Sequence, residues 1–210
     1  DSSARSRSGE PLNSNSAQFF LPASVDVDES NGEIYVADGE LPGGNTRIAV
    51  FNADGSFQRQ WRLHRDDNDQ RTELPHCLRI SDDGLIYVCD RRADQIQVFD
   101  KQGELQQKIR APHTPLSDSN GRISGVRGDT VVLDFSTDAE QQYLYVVNQN
   151  SMTVEVLDRR TGEWITRFGG GPGRYPGQFE LPHGIAVDSD GNVYVAEQGG
   201  RRVQRFLLRP

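Results

Sequence analysis

Glu180–Glu197 reads ELPHGIAVDSDGNVYVAE, and Glu73–Asp90 reads ELPHCLRISDDGLIYVCD. In both, a Leu-Pro-His tripeptide leads into a run of alternating residues, then a turn rich in Asp and Gly, then a second run built on Tyr-Val. Alternation with a period of two marks a strand with one buried face, and Gly beside Asp or Asn suits the reversal between antiparallel strands. The second run recurs as GEIYVAD at Gly32–Asp38 and YLYVVN at Tyr143–Asn148, so that Tyr35, Tyr87, Tyr145 and Tyr194 stand 52, 58 and 49 residues apart. Self-similarity at such a spacing is the mark of a repeat architecture.

Each unit continues with a third run, TRIAVF, QIQVFD, TVEVLD or RVQRF, and the first three add a fourth within ADGSFQRQWRL, KQGELQQKI and RTGEWITRF. Four antiparallel strands repeated at about 50 residues make a β-propeller blade, which buries its faces against its neighbours. The sequence therefore predicts an all-β chain. An irregular segment over 1–17 precedes blades over 18–72, 73–128, 129–177 and 178–210, the last without its outer strand. Asp1–Gln18 is rich in Ser and Asn and shows no strand alternation to replace that strand, so the expected frame is part of a six-bladed propeller with further blades outside these residues.

The composition agrees with many thin sheets rather than one thick core: 34% of the 210 residues are hydrophobic and 8% aromatic. The formal net charge of −8, with both signs interspersed, opposes a phosphate backbone and argues against nucleic acid as the main partner. No run approaches the roughly 18 apolar residues of a membrane helix, and no membrane insertion is expected. The opening DSSARSRSGEPLNSNS lacks the apolar stretch of a signal peptide, so an export signal is expected to have been removed or never to have existed.

The runs QFELPHGIAVDSDGNVYVAE and RRVQRF, with FFLPASVDVDESNGEIYVADG and TRIAVFNADGSFQRQW, resemble the NHL repeat. Within that superfamily the chain is similar to the peptidyl-α-hydroxyglycine α-amidating lyases, which are zinc-dependent six-bladed propellers. The resemblance implies that His76 and His183, from alternate units, are two of three imidazole ligands to zinc, with the third in a blade ahead of residue 1. Ala23 and a residue near Val131 hold the same repeat position in the other units. The resemblance also places Arg91 at the substrate site, where it would hold a glycolate carboxylate. Two family residues are missing: the stretch GELPGGNTR after Asp38 carries no catalytic tyrosine, and Gly184 stands where an Asp would bind calcium. The structural alternative for His76 and His183 is a polar ring at the tunnel mouth, copied by descent. Arg91 has its own alternative as a surface cation beside Arg92.

Other features have structural readings. His64 and His113 fall in loops. Asp26, Asp28, Asp82, Asp83, Asp188 and Asp190 sit at strand ends and turns, where their carboxylates satisfy turn amides. Gly169–Gly177, GGGPGRYPG, lacks the Lys-Ser/Thr ending of a phosphate loop and reads as an interblade connection. The pairs Arg91/Arg92, Arg159/Arg160 and Arg201/Arg202 read as solvated strand edges. Centring the second unit's hairpin on Asp83 pairs Cys77 with Cys89, Leu78 with Val88 and Ile80 with Ile86, so the two cysteines are either a cross-strand disulfide or two buried thiols. A disulfide would point to a secreted or periplasmic protein, which is the compartment of most of the lyase family. The expected function is a binding or scaffold module for a protein or peptide, with a small anionic ligand and zinc as further candidates. The rivals are a zinc-dependent lyase completed by other blades, and a subunit docked into a larger assembly through its open blade edge.

Overall fold

The computed structural model describes residues 11–40, 43–65, 73–117, 123–124 and 129–208. The first ten residues of the opening segment, Leu41 and Pro42 of GELPGGNTR, and most of the stretch before the third unit lie outside the described residues. Seventeen strands and no helix are found among those described.

The chain divides into two compact units, Asp1–Lys108 and Ile109–Pro210. In the first, β1 (Pro22–Val27), β2 (Ile34–Asp38), β3 (Arg47–Phe51) and β4 (Phe57–Arg62) form one antiparallel sheet in chain order. The second sheet of this unit, again in chain order, is β5 (Pro75–Ile80), β6 (Ile86–Asp90), β7 (Gln95–Phe99) and β8 (Leu105–Ile109). The short strands β9 (Leu116–Ser117) and β10 (Ile123–Ser124) pair with each other at the start of the second unit. There, β11 (Thr130–Phe135), β12 (Tyr143–Asn148), β13 (Thr153–Asp158) and β14 (Trp164–Phe168) form a four-stranded sheet. The three-stranded sheet that follows is β15 (Pro182–Val187), β16 (Val193–Glu197) and β17 (Arg202–Phe206). These sheets are the blades of a β-propeller fold, and among the described residues the fourth has three strands.

The blades of each unit pack face to face. Tyr35, Ala37, Ile48 and Val50 of blade 1 meet Leu78, Ile86, Val88 and Phe99 of blade 2 in one core, with Trp61 at its margin. Tyr145, Val147, Val154 and Val156 of blade 3 meet Val193, Val195 and Phe179 of blade 4. The same alternate positions fill both cores because a strand points successive side chains to opposite faces. One turn shows how tightly blades 1 and 2 approach: a Cβ at Gly103 (φ 90°) would lie 2.6 Å from the Trp61 ring, so only glycine supplies both the backbone angle and the room.

Adjacent inner strands are also tied through their backbones. Asp26 accepts the Ile80 N–H at 2.9 Å, and Asp134 accepts the Val187 N–H at 3.0 Å. These carboxylates hold equivalent places in blades 1 and 3, each bonding the next blade's inner strand. Within blade 2, Cys77 pairs with Cys89, Leu78 with Val88 and Ile80 with Ile86, and the two cysteines form a disulfide. The open choice between disulfide and thiols is thus resolved toward the disulfide.

Candidate functional site

In all four inner hairpins the register slips by one residue, between Pro22 and Ser24, Pro75 and Cys77, Thr130 and Val132, and Pro182 and Gly184. The skipped residues are Ala23, His76, Val131 and His183. They are the four that share one repeat position in the sequence. A β-bulge leaves its extra residue out of the ladder and re-aims its side chain, and a proline just before it has no N–H to lose. Because Ala23 and Val131 occupy bulges too, the bulge belongs to the blade; what varies is the side chain it presents.

His76 is buried, with its side chain 7% exposed, and its Nε2 lies 3.3 Å from Oε2 of Glu40, which is 35% exposed. Glu40 follows β2 of blade 1 and reaches blade 2 because the chain there runs close to β5. A Cβ on Gly39 would be 2.8 Å from Pro75 Cδ and 2.5 Å from the Asn45 carbonyl oxygen, and the Glu40 N–H donates to the Leu21 carbonyl at 2.7 Å. Arg91 begins the turn after β6, and its backbone N–H donates to the Leu74 carbonyl at 3.1 Å, beside the start of β5. Glu40, His76 and Arg91 therefore stem from strand ends at one end of blades 1 and 2. In the second unit, His183 is half-buried at the start of β15.

A carboxylate or amide at the end of each second strand holds this end of its blade in shape. Asp38 accepts the Phe20 N–H (2.9 Å), Asp90 the Leu74 N–H (3.2 Å), Asn148 the Asp129 N–H (3.3 Å) and Glu197 the Glu180 N–H (2.7 Å). In blades 1 and 4 an arginine completes the clamp. Arg47, wholly buried, pairs with Asp38 at 3.0 Å and donates to the carbonyls of Ser14, Ser16 and Gln18. Arg202 pairs with Glu197 at 2.6 Å and donates to the carbonyls of Arg174 and Gln178. Residues 14–18 thus take in blade 1 the place that 174–178, the end of the Gly-rich run, take in blade 4.

Two of the three basic pairs depart in one member from the reading as solvated edges. Arg160 and Arg201 are exposed, but Arg159 is buried, donating to the Gln141 and Glu140 carbonyls, and Arg202 belongs to the clamp. His113 lies in a loop as expected, but it is half-buried rather than solvated, with Nδ1 2.9 Å from the Ser151 hydroxyl. His64 is exposed in a loop as expected. Three of the turn aspartates bond within their turns. Asp28 accepts from Ser30, Asp83 from Ser81, and Asp188 from Asn192 and Tyr194.

The NHL repeat family matches residues 72–99 and 179–206, the two segments that carry His76 and His183. The chain is an NHL-repeat protein. This NHL-repeat chain is 32% identical over 200 residues to a peptidyl-glycine alpha-amidating monooxygenase B of Xenopus laevis, covering 90% of the chain and 20% of that protein. It is 27% identical over 212 residues to peptidyl-alpha-hydroxyglycine alpha-amidating lyase 1 of Drosophila melanogaster, covering 91% of the chain and 36% of that relative. The chain thus spans well under half the length of either. Among solved structures, the WD40 beta propeller domain of Doa1 superposes with a TM-score of 0.61 at 12% identity, over 90% of the chain and 51% of that domain.

A zinc ion fits the NHL-repeat chain only in part. His76 offers an imidazole beside the Glu40 carboxylate, but no three of His, Cys, Asp and Glu converge among the described residues. Glu40 was not legible as a site residue in the sequence. Its one signal is its place directly after Asp38-Gly39, at the start of the stretch where the resemblance implies a tyrosine. The clamp arginines had a clearer signal, since in blades 1 and 4 an acidic residue ends the second strand and an arginine opens the third.

Proposed function

We propose that this chain is a propeller binding module whose docking surface is the open face of blade 1, and whose partner is a protein presenting the apolar face of another blade. The observation that carries the reading is an internal comparison. Val25, Ile34, Val36 and Phe51 are the counterparts, one repeat earlier, of Leu78, Ile86, Val88 and Phe99, which are buried against blade 1. Val25 is 61% exposed where Leu78 is 1% exposed. Together with Phe19 and Ala23 the four residues line an apolar groove of about 790 Å³. Val36 and Phe51 at the floor of the groove are already buried, 7% and 6% exposed, against Phe19, Ile34 and Phe57, so the surface open to a partner is Val25 with the half-buried Ala23 and Ile34, and an apolar edge whose repeat equivalent is buried by a blade is chemically suited to a blade. The buried Cys77–Cys89 disulfide supports an oxidising compartment, secreted or periplasmic.

The test uses the fact that both cysteines of the chain are oxidised, so an introduced thiol is unique. Val25→Cys and, as control, Glu104→Cys in an exposed turn are labelled with a maleimide, in the isolated chain and in the protein expressed in its native setting. A covered face slows labelling of Val25→Cys at least tenfold in the native setting and leaves the control unchanged. Equal rates in both settings overturn the docking surface.

A second reading is favoured by the 32% identity to an amidating monooxygenase over 90% of the chain. Under it, His76 and His183 are zinc ligands of a lyase-type site completed by blades outside these residues, and Arg91 holds the anionic group of the substrate. Lyase activity of the native protein, lost in His76→Ala and with KM raised in Arg91→Ala, would favour it over the binding module.

A further inference from the structure

We propose that the open face of blade 1 is covered by the free face of blade 4 in a second copy of this chain, so that copies associate head to tail. The inference rests on the docking surface of the first reading and names its occupant.

The two faces of blade 4 differ in burial. Ile185, Val193, Val195 and Phe206 pack with blade 3. The opposite face carries Tyr194, Ala196 and Val203, the repeat counterparts of Tyr35, Ala37 and Ile48 in blade 1; Ala196 pairs with Val203 as Ala37 pairs with Ile48. Tyr35, Ala37 and Ile48 are wholly buried in the core with blade 2, whereas Val203 is 64% exposed and Ala196 is exposed too. Blade 4 thus leaves free the kind of face that blade 1 turns toward blade 2. Blade 1 leaves free the complementary kind, with Val25 61% and Val27 46% exposed.

A hydrogen-bond pattern selects which blade suits that free face. Asp26 accepts the N–H of its own neighbour Val27 at 3.0 Å through Oδ1, and the Ile80 N–H of blade 2 at 2.9 Å through Oδ2. Asp134 of blade 3 does the same for Phe135 and for Val187 of blade 4, both at 3.0 Å. Blades 2 and 4 therefore draw this acceptor from the blade before them, while blades 1 and 3 carry their own. In blade 4 the position of the bridging aspartate is held by Ala186, which has no oxygen to lend. Packed on Ala186, an N–H like that of Ile80 or Val187 would be left without its acceptor, and buried N–H groups are almost always paired. Blade 1 makes no such demand, because Asp26 already serves Val27. Val25 and Val203 are both exposed within one chain, so the contact joins two copies, as a heterologous interface.

The test is the oligomeric state of the native protein and of Val25→Asp and Val203→Asp, by sedimentation velocity and native mass spectrometry, with far-UV circular dichroism to show that the variants are folded. Wild type associates at micromolar concentration. Each substitution places a carboxylate in the apolar contact and weakens association at least tenfold. Mixing the two variants restores dimers, because Val203→Asp keeps an intact blade 1 face and Val25→Asp an intact blade 4 face. A monomeric wild type, or association unchanged by Val203→Asp, overturns the second copy as occupant; slow labelling of Val25→Cys in the native setting then leaves the docking surface standing with another partner. Association lost in Val203→Asp but kept in Val25→Asp, or no recovery on mixing, overturns the head-to-tail contact. Unchanged association in both variants together with equal labelling rates overturns the contact and the docking surface alike.

Discussion

Replacing Asp38 by alanine leaves a guanidinium charge in a site from which water is excluded. Arg47 and Asp38 are both 0% exposed, and the carboxylate accepts from Arg47 Nε at 3.0 Å, Asn45 Nδ2 at 2.6 Å and the Phe20 N–H at 2.9 Å. Removing one member of a buried pair costs about 3–5 kcal/mol, because the other is left uncompensated. With a urea slope of about 2.5 kcal/mol per M, a loss of about 4 kcal/mol lowers the midpoint by about 1.6 M. Asp38→Asn, which keeps an oxygen for Phe20 but no charge, falls between alanine and wild type. Asp38→Ala combined with Arg47→Met removes both charges and costs less than the two single changes together, a coupling measured by the double-mutant cycle. Tryptophan fluorescence gives the midpoints, and hydrogen exchange at residues 14–20 reports whether the opening segment detaches. A midpoint shift under about 0.4 M for Asp38→Ala, or additive single effects, would refute the view that this pair holds the segment in place.

Two further outcomes follow from the same contacts. Arg59, donating at 2.9 and 3.0 Å, holds the Glu33 carboxyl down to about 2 from an ordinary 4.5, with help from the Tyr35 hydroxyl. A depressed acid stabilises the fold fully above pH 4.5 and loses that contribution as pH falls toward 2. The drop corresponds to about 3 kcal/mol at most, so the stability gap between wild type and Glu33→Gln should close across that window; a gap independent of pH would contradict it. The Cys77–Cys89 bridge closes a loop with a sequence separation of 12, worth about 2–3 kcal/mol of unfolded-chain entropy. Cys77→Ala with Cys89→Ala should lower the urea midpoint accordingly, and reductant should then have no additional effect; an unchanged midpoint would show that the constraint contributes nothing.

The blade pattern was legible because each of its parts is local. Alternation, a turn glycine and the Tyr-Val strand lie within one hairpin, and so does the register that brings Cys77 opposite Cys89 only 12 residues away. His76 and His183 were legible as a repeated position for the same reason. The bulge that re-aims them was not, since alternation is read as though the register were uniform.

The clamp was half legible. Asp38 and Arg47 flank one turn, yet the acceptors of Arg47 lie in residues 14–18, whose composition gives no hint of a fixed path. What the sequence by itself determined was the strands of the blades and their grouping into repeats, because nearest neighbours along the chain set those; the β9–β10 pair and the register slip in each inner hairpin were not among them. Only the tertiary structure decided that Glu40 of blade 1 meets His76 of blade 2 and that Val25 stays exposed where its repeat counterpart Leu78 is buried. Both depend on how one sheet lies against the next, and that is fixed by side-chain packing across distances the local pattern does not encode.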